Sequence, residues 1–166
     1  MALFHPDYRF RRVWDIPPEW LREKGISVLL LDVDNTLTTH DNPDVADGVH
    51  DWIAGMQAAG IRLLILSNNN ATRVEPFAEK LGMGCIASAA KPLGGGVRRA
   101  RDRLGARARE IAIVGDQVFT DVLCANLAGA VSILVEPIEL EPFPFFKLKR
   151  RLEQLVLRGG QKGIDQ

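Results

Sequence analysis

Residues 27–37 read Ser27-Val28-Leu29-Leu30-Leu31-Asp32-Val33-Asp34-Asn35-Thr36-Leu37. The run from 27 to 33 is apolar until it meets the first of two carboxylates set one residue apart. It is too short for a buried helix, and a continuous apolar run of this length marks a strand covered on both faces, as in a parallel sheet. Working outward, residues 61–66, 84–87 and 111–114 repeat the pattern, and 132–135 make a fifth strand. Helical patterns fill the gaps at 45–59, 72–81, 95–104 and 120–127, each followed closely by a glycine (Gly60, Gly82, Gly105, Gly129) of the kind that ends helices. Strand and helix alternate with no internal repeat. The expected fold is therefore α/β: a three-layer, Rossmann-like parallel sheet with helices on both faces, joined by right-handed crossovers.

Composition narrows the class without naming a reaction. The chain has 166 residues, enough for one domain with a full core, and its 21 basic residues balance its 21 acidic ones, so no overall field favours nucleic acid. Cys85 and Cys124 have neither metal-ligand spacing nor the density of a disulfide scaffold, which points to a reducing compartment. No apolar stretch is long enough to span a bilayer. A cytoplasmic protein is expected, with peripheral contact at the inner face of the membrane as an option. Three regions are expected: a basic and aromatic segment (1–26) packing on the core, a catalytic core (27–137), and a basic amphipathic tail (138–166) beginning with a Pro-rich ordered connector.

In an open parallel sheet, ligands bind beyond the carboxyl ends of the strands. The polar residues there are Asp32 and Asp34 after the first run, Ser67 and Asn68 after the second, Lys91 near the third, and Asp116 and Asp121 after the fourth. Carboxylates gathered within a few ångströms repel one another and require a cation between them, and Mg²⁺ is the natural oxygen-seeking choice. Taken singly, each set has an ordinary explanation. Asp-x-Asp is a common turn, Ser67-Asn68-Asn69-Asn70 suits a helix N-cap, and Lys91-Pro92 suits a solvated loop. Their conjunction, in order and each at a strand end, favours chemistry. His5, His40 and His50 receive no role, although His40 could border the site, and Leu93-Gly94-Gly95-Gly96 lacks the lysine and hydroxyl of a P-loop and reads as a helix start.

These four sets, spanning residues 28–122, resemble the four motifs of the haloacid dehalogenase superfamily: Asp32-Val33-Asp34-Asn35-Thr36-Leu37, Leu66-Ser67-Asn68, Lys91-Pro92, and Gly115-Asp116 through Asp121. Similarity in Ile16-Pro17-Pro18, Lys24-Gly25-Ile26 and the stretch from Glu141-Pro142 to Arg151 points to its capless subclass IIIA, a YqeG-like group related to mitochondrial phosphatidylglycerophosphatase. The resemblance implies a Mg²⁺-dependent phosphomonoester hydrolase working through an aspartyl-phosphate. Asp32 is the implied nucleophile and metal ligand, Asp34 the acid and base with a backbone carbonyl toward the metal, and Lys91 the neutralising cation. Ser67 and the Asn68 backbone are implied phosphate binders. Asp116 completes the metal site, and Asp121 is a water-mediated ligand or an orienting group.

Neither of the superfamily's usual insertion points has room for a cap domain, which implies an open site and a large substrate such as a lipid, polymer or protein. In the tail, Phe145, Leu148, Leu152 and Leu155 recur on one helical face while Lys147, Arg150, Arg151 and Arg158 lie largely off it. That pattern suits an anionic membrane and a lipid head group such as phosphatidylglycerophosphate, or equally docking on the core or on a second subunit. The alternatives are a soluble-metabolite or protein phosphatase, a receiver domain that stores the phosphoryl group (disfavoured by Asp34), and a non-catalytic RNA- or ribosome-associated module.

Overall fold

A computed structural model describes residues 3–40 and 42–158. One parallel sheet of six strands, β1 (Tyr8–Phe10), β2 (Val28–Leu31), β3 (Arg62–Leu66), β4 (Gly84–Ile86), β5 (Ile111–Gly115) and β6 (Val131–Val135), runs in the order β1-β6-β5-β2-β3-β4. The helices are α1 (Pro18–Glu23), α2 (Val49–Ala58), α3 (Ala71–Lys80), α4 (Gly95–Leu104), α5 (Leu123–Ala128) and α6 (Pro144–Arg158). Successive strand residues face opposite sides. Leu29 and Leu31 accordingly join a core with Leu21, Trp52, Met56 and Phe77, while Val28 and Leu30 join a second with Val97, Ala100 and Ala125. All four residues of β2 are completely buried. This is the expected three-layer α/β arrangement, with no large cap: residues 36–48 carry only a short flap, and Ser67 and Lys91 are separated by α3 and β4.

The register sets the site. Leu31 pairs with Ile65 on one side and with Val114 on the other, and the Asp32 amide donates to the Val114 carbonyl (2.9 Å). Asp32, Ser67 and Asp116 therefore leave three adjacent strands at nearly one level. The chain passes from β2 to β3 on one side and later to β5 on the other, and the crevice at that reversal is where such sheets bind ligands.

Four elements differ from the sequence pattern. β1 lies within the segment 1–26 and extends the sheet by pairing with β6; it is three residues long, includes an exposed Arg9, and so gives no apolar run. It is held by edge contacts of Tyr8 and Phe10 with Trp20 (4.7 and 5.1 Å between ring centres) and by hydrogen bonds between Asp7 and the buried Ser132. α2 begins at Val49 and not at 45, because Gly48 takes φ +88° at its start. The third run is strand only over Gly84–Ile86. The helix expected at 120–127 is a widened turn over Val118–Val122 followed by α5. Residues 159–166 of the tail lie outside the described residues.

That widened turn folds Asp121 back over Gly115, where an added Cβ would sit 2.6 Å from the Asp121 Cβ and overlap its carboxylate. Gly115→Ala is therefore expected to displace Asp121 and lower stability by about 1–3 kcal/mol, the usual range for overpacking. Urea unfolding checks this, and an unchanged midpoint would show that the turn has slack.

Candidate active site and metal centre

Lys91 lies at the middle of the polar cluster. Its Nζ donates to Asp32 Oδ1 (2.8 Å) and to Asp121 Oδ1 (2.6 Å), and only 3% of its side chain is exposed. The loop delivering it is clamped by Asn68, whose Oδ1 accepts from the Lys91 amide (2.7 Å) and whose Nδ2 donates to the Lys91 carbonyl (3.0 Å). Ser88 and Ala90, just before it, adopt φ of +45° and +56°. Left-handed conformations in non-glycine residues cost of order 1 kcal/mol or more each, and such strain is held where a side chain must be aimed.

Asp121 uses its second oxygen to accept from the Gln117 amide (3.2 Å). Asp116 is 3% exposed; its Oδ2 is held by Arg150 Nη2, while its Oδ1 is buried with no hydrogen-bond partner. One oxygen from each of Asp32, Asp116 and Asp121 falls within 4.8 Å of the others. Asp34 stands outside this trio. Its carboxylate accepts from Asn69 Nδ2 (2.9 Å) and Arg73 Nη2 (2.6 Å), with His40 Nδ1 at 3.8 Å. Ser67 is buried, and its hydroxyl accepts from the Asn69 amide (3.2 Å). Asn70, the last of the four-residue polar run, caps α3 by accepting from the Arg73 amide (3.2 Å).

All seven residues singled out in the sequence thus come to one end of the sheet. Asn69, Arg73, Glu141, Arg150 and Glu153 belong to the same network and were not singled out for it. Asn69 was visible only as part of a polar run. Arg150 and Glu153 were visible only as members of an amphipathic tail, and nothing local reports that Arg150 reaches Asp116, 34 positions away, or that Glu153 reaches Val118, 35 positions away.

The electrostatics call for a cation. Asp32, Asp34, Asp116 and Asp121 face Lys91, Arg73 and Arg150, so four negative groups meet three positive ones. Burial pushes the Asp116 carboxyl well above its ordinary range, Arg150 opposes this, and Asp32 adds to it. Asp121 is raised likewise by burial, with Lys91 pulling it down and Asp32 pushing it up. Burial alone would depress the Lys91 ammonium, but Asp121 and then Asp32 outweigh that and hold it above its usual value. The unpartnered Asp116 Oδ1 and an all-oxygen donor set fit a hard divalent ion. Asp32, Asp116 and Asp121 are the residues that could hold it.

Two grooves flank the centre. One, of about 490 Å³, runs between the flap at Pro43 and α3 and is lined by Asn69, Arg73 and Phe77. The other, of about 1010 Å³, is lined by Phe10, Trp20, Asp116, Leu140 and Arg150.

The chain matches the model of haloacid dehalogenase-like hydrolases over residues 10–129. It is 34% identical over 154 residues to a Bacillus subtilis (strain 168) protein named "Probable phosphatase YqeG", covering 93% of this chain and 90% of that one. It is 26% identical over 161 residues to "Phosphatidylglycerophosphate phosphatase 1, chloroplastic/mitochondrial" of Arabidopsis thaliana, covering 89% of this chain but only 46% of the plant protein. Among solved structures, an uncharacterized protein from Listeria monocytogenes serotype 4b superposes with a TM-score of 0.59 at 18% identity, over 72% of this chain and 85% of that one. At that identity the likeness speaks for the fold alone.

The raised carboxyls give a signed expectation. With folded-state values above the ordinary 3.8, Asp116 and Asp121 hold protons that the unfolded chain has released, so stability falls as pH rises from 3.8 through about 6 and beyond. In chelator, the urea midpoint is expected to be lower at neutral than at mildly acidic pH. Added Mg²⁺ should restore the neutral value, and Asp116→Asn should flatten the difference. A midpoint that rises with pH in chelator would show that the cluster carries no such strain.

Proposed function

The chain belongs to the haloacid dehalogenase-like hydrolases and is a phosphatase of that family, and on that premise we propose that it hydrolyses a lipid phosphomonoester with Asp32 as nucleophile and Mg²⁺ as its metal. The observation that carries this reading is a buried lysine, Lys91, bridging Asp32 and Asp121 beside Asp116, a charge arrangement suited to a transferring phosphoryl group.

In the first step an Asp32 carboxylate oxygen attacks phosphorus, the bond to the leaving oxygen breaks, and Asp34 gives that oxygen its proton. In the second, Asp34 takes a proton from water as the water oxygen attacks the aspartyl-phosphate, releasing phosphate and restoring Asp32. Asn69 and Arg73 each donate to one Asp34 oxygen and so fix the carboxyl group in place. Lys91 neutralises the attacking and transferring oxygens. Ser67 and the Asn68 backbone hold phosphoryl oxygens, with the Asn68 side chain engaged on Lys91. Bound Mg²⁺ supplies the positive charge that lets the crowded carboxylates and the phosphate share one site, with Asp32, Asp116 and Asp121 as the holding residues.

Three features support a lipid substrate, with phosphatidylglycerophosphate the foremost candidate. The site carries no large cap, and a relative bears the name of a phosphatidylglycerophosphate phosphatase. Third, the outer face of α6 and its approach expose Phe143, Phe145, Leu148, Leu152 and Leu155 beside exposed Lys147, Arg151 and Arg158. No described helix is long and apolar enough to cross a membrane, so the proposed contact is peripheral. Because the other face of α6 reaches Asp116, deleting the tail would confuse surface contact with site integrity, and outward substitutions separate them.

Asp32→Asn is expected to abolish phosphate release with the fold intact, since it removes the nucleophile while conserving shape. Phe145→Ser with Leu152→Ser is expected to cut release from phosphatidylglycerophosphate in mixed micelles at least ~10-fold, given about 1.5–3 kcal/mol per buried apolar side chain. Hydrolysis of a soluble aryl phosphate by that variant should be unchanged. Equal rates on micelles for the variant and the original chain would exclude lipid contact by this face, and substantial activity of Asp32→Asn would exclude the covalent route.

A further inference from the structure

We propose that Arg150, on α6, is a positioning residue of the metal centre: it fixes Asp116 by one oxygen, leaves the other for the cation, and thereby couples metal affinity to the docking of the carboxyl-terminal helix. The proposal rests on the reading of Asp32, Asp116 and Asp121 as a metal site.

Arg150 Nη1 donates to the Asp116 carbonyl (2.6 Å) and Nη2 to Asp116 Oδ2, so one guanidinium grips both the backbone and the side chain of the residue. A lysine would bring one tetrahedral nitrogen in place of the two spaced nitrogens of the fork, so it would match this pair of acceptors less well. The guanidinium is in turn set by Glu153 (3.2 Å) and Glu141 (3.4 Å). Glu153, 4% exposed, uses its other oxygen to accept from the Val118 amide (3.0 Å), at the start of the turn that carries Asp121. Glu141 also accepts from Asn35 Nδ2 (3.0 Å), in the loop that follows Asp32 and Asp34. The α6 network thus touches the segments that carry all three candidate ligands.

Around Arg150 the charge does not balance. Asp116, Glu141 and Glu153 meet one guanidinium, with the Asp116 Oδ1 and Glu141 Oε2 atoms buried and unpartnered. A divalent ion at Asp116 relieves that excess, so ion and helix stabilise each other. By linkage, whatever undocks α6 weakens metal binding by the same factor that metal loss loosens α6.

Titration calorimetry with Mg²⁺ alone and amide hydrogen exchange, both on the full chain, test this without any substrate. Arg150→Met is expected to weaken Mg²⁺ binding about 10- to 100-fold, the range seen when a partner of a metal ligand is removed. Arg150→Lys should recover part of that loss. In the original chain Mg²⁺ should slow exchange across residues 144–158, and Arg150→Met should abolish the slowing. Unchanged or tighter Mg²⁺ binding in Arg150→Met overturns the proposal. Should that variant fail to fold, equal α6 exchange with and without Mg²⁺ in the original chain overturns it by itself. Failure of the original chain to bind Mg²⁺ would instead sink the metal-site reading beneath it.

Discussion

Repulsion among carboxylates collected at one end of the sheet is the constraint on which this structure turns. Asp32, Asp34, Asp116 and Asp121 arrive from two strands, and each is held by a cation from elsewhere: Lys91 for Asp32 and Asp121, Arg73 for Asp34, Arg150 for Asp116. Buried ion pairs gain little net stability over apolar packing, because taking each charge out of water costs several kcal/mol. Such a cluster is therefore poor as a stabilising device and useful as a reactive one. The cores on both sheet faces stabilise the fold that confines it, with β2 buried along its whole length.

Confinement here is a matter of backbone geometry more than of side-chain length. The pairing of Leu31 with Ile65 and Val114 brings Asp32, Ser67 and Asp116 to one level. Gly115 lets the following turn fold back until Asp121 lies against the strand it has just left. Lys91 is brought in by a loop whose strained residues, Ser88 and Ala90, are over-determined by the Asn68 clamp. Each of these is a short, rigid device, and together they aim a flexible lysine between two acids.

How much of this was legible in the chain follows from how local each signal is. The strands β2, β3 and β5 announce themselves as apolar runs because both faces are covered, and the reactive residues follow from asking what stands at their carboxyl ends. β1 gave no such signal, since an edge strand of three residues with Arg9 at its centre is specified by its partner β6 and by Trp20 and not by its own pattern. Arg73 was hidden differently: its position three residues after the Asn70 cap looks like ordinary helix surface, and only the folded chain brings Asp34 to it, 39 positions away.

Helix α6 shows where an amphipathic pattern misdirects. Hydrophobic periodicity normally names the face that turns inward. Here Arg150 and Glu153 turn inward, while Phe145, Leu148, Leu152 and Leu155 face out. The inversion is consistent once the partner surface is considered, because the surface beneath α6 presents Asp116 and Glu141, which take the Arg150 guanidinium, and the Val118 amide, which donates to the Glu153 carboxylate. Half-buried Phe146, Val156 and Leu157 accompany Arg150 and Glu153 on the inner side, and the bare apolar outer face is left for a second use. Those two properties place α6 between whatever meets its outer face and the charge at Asp116 beneath it.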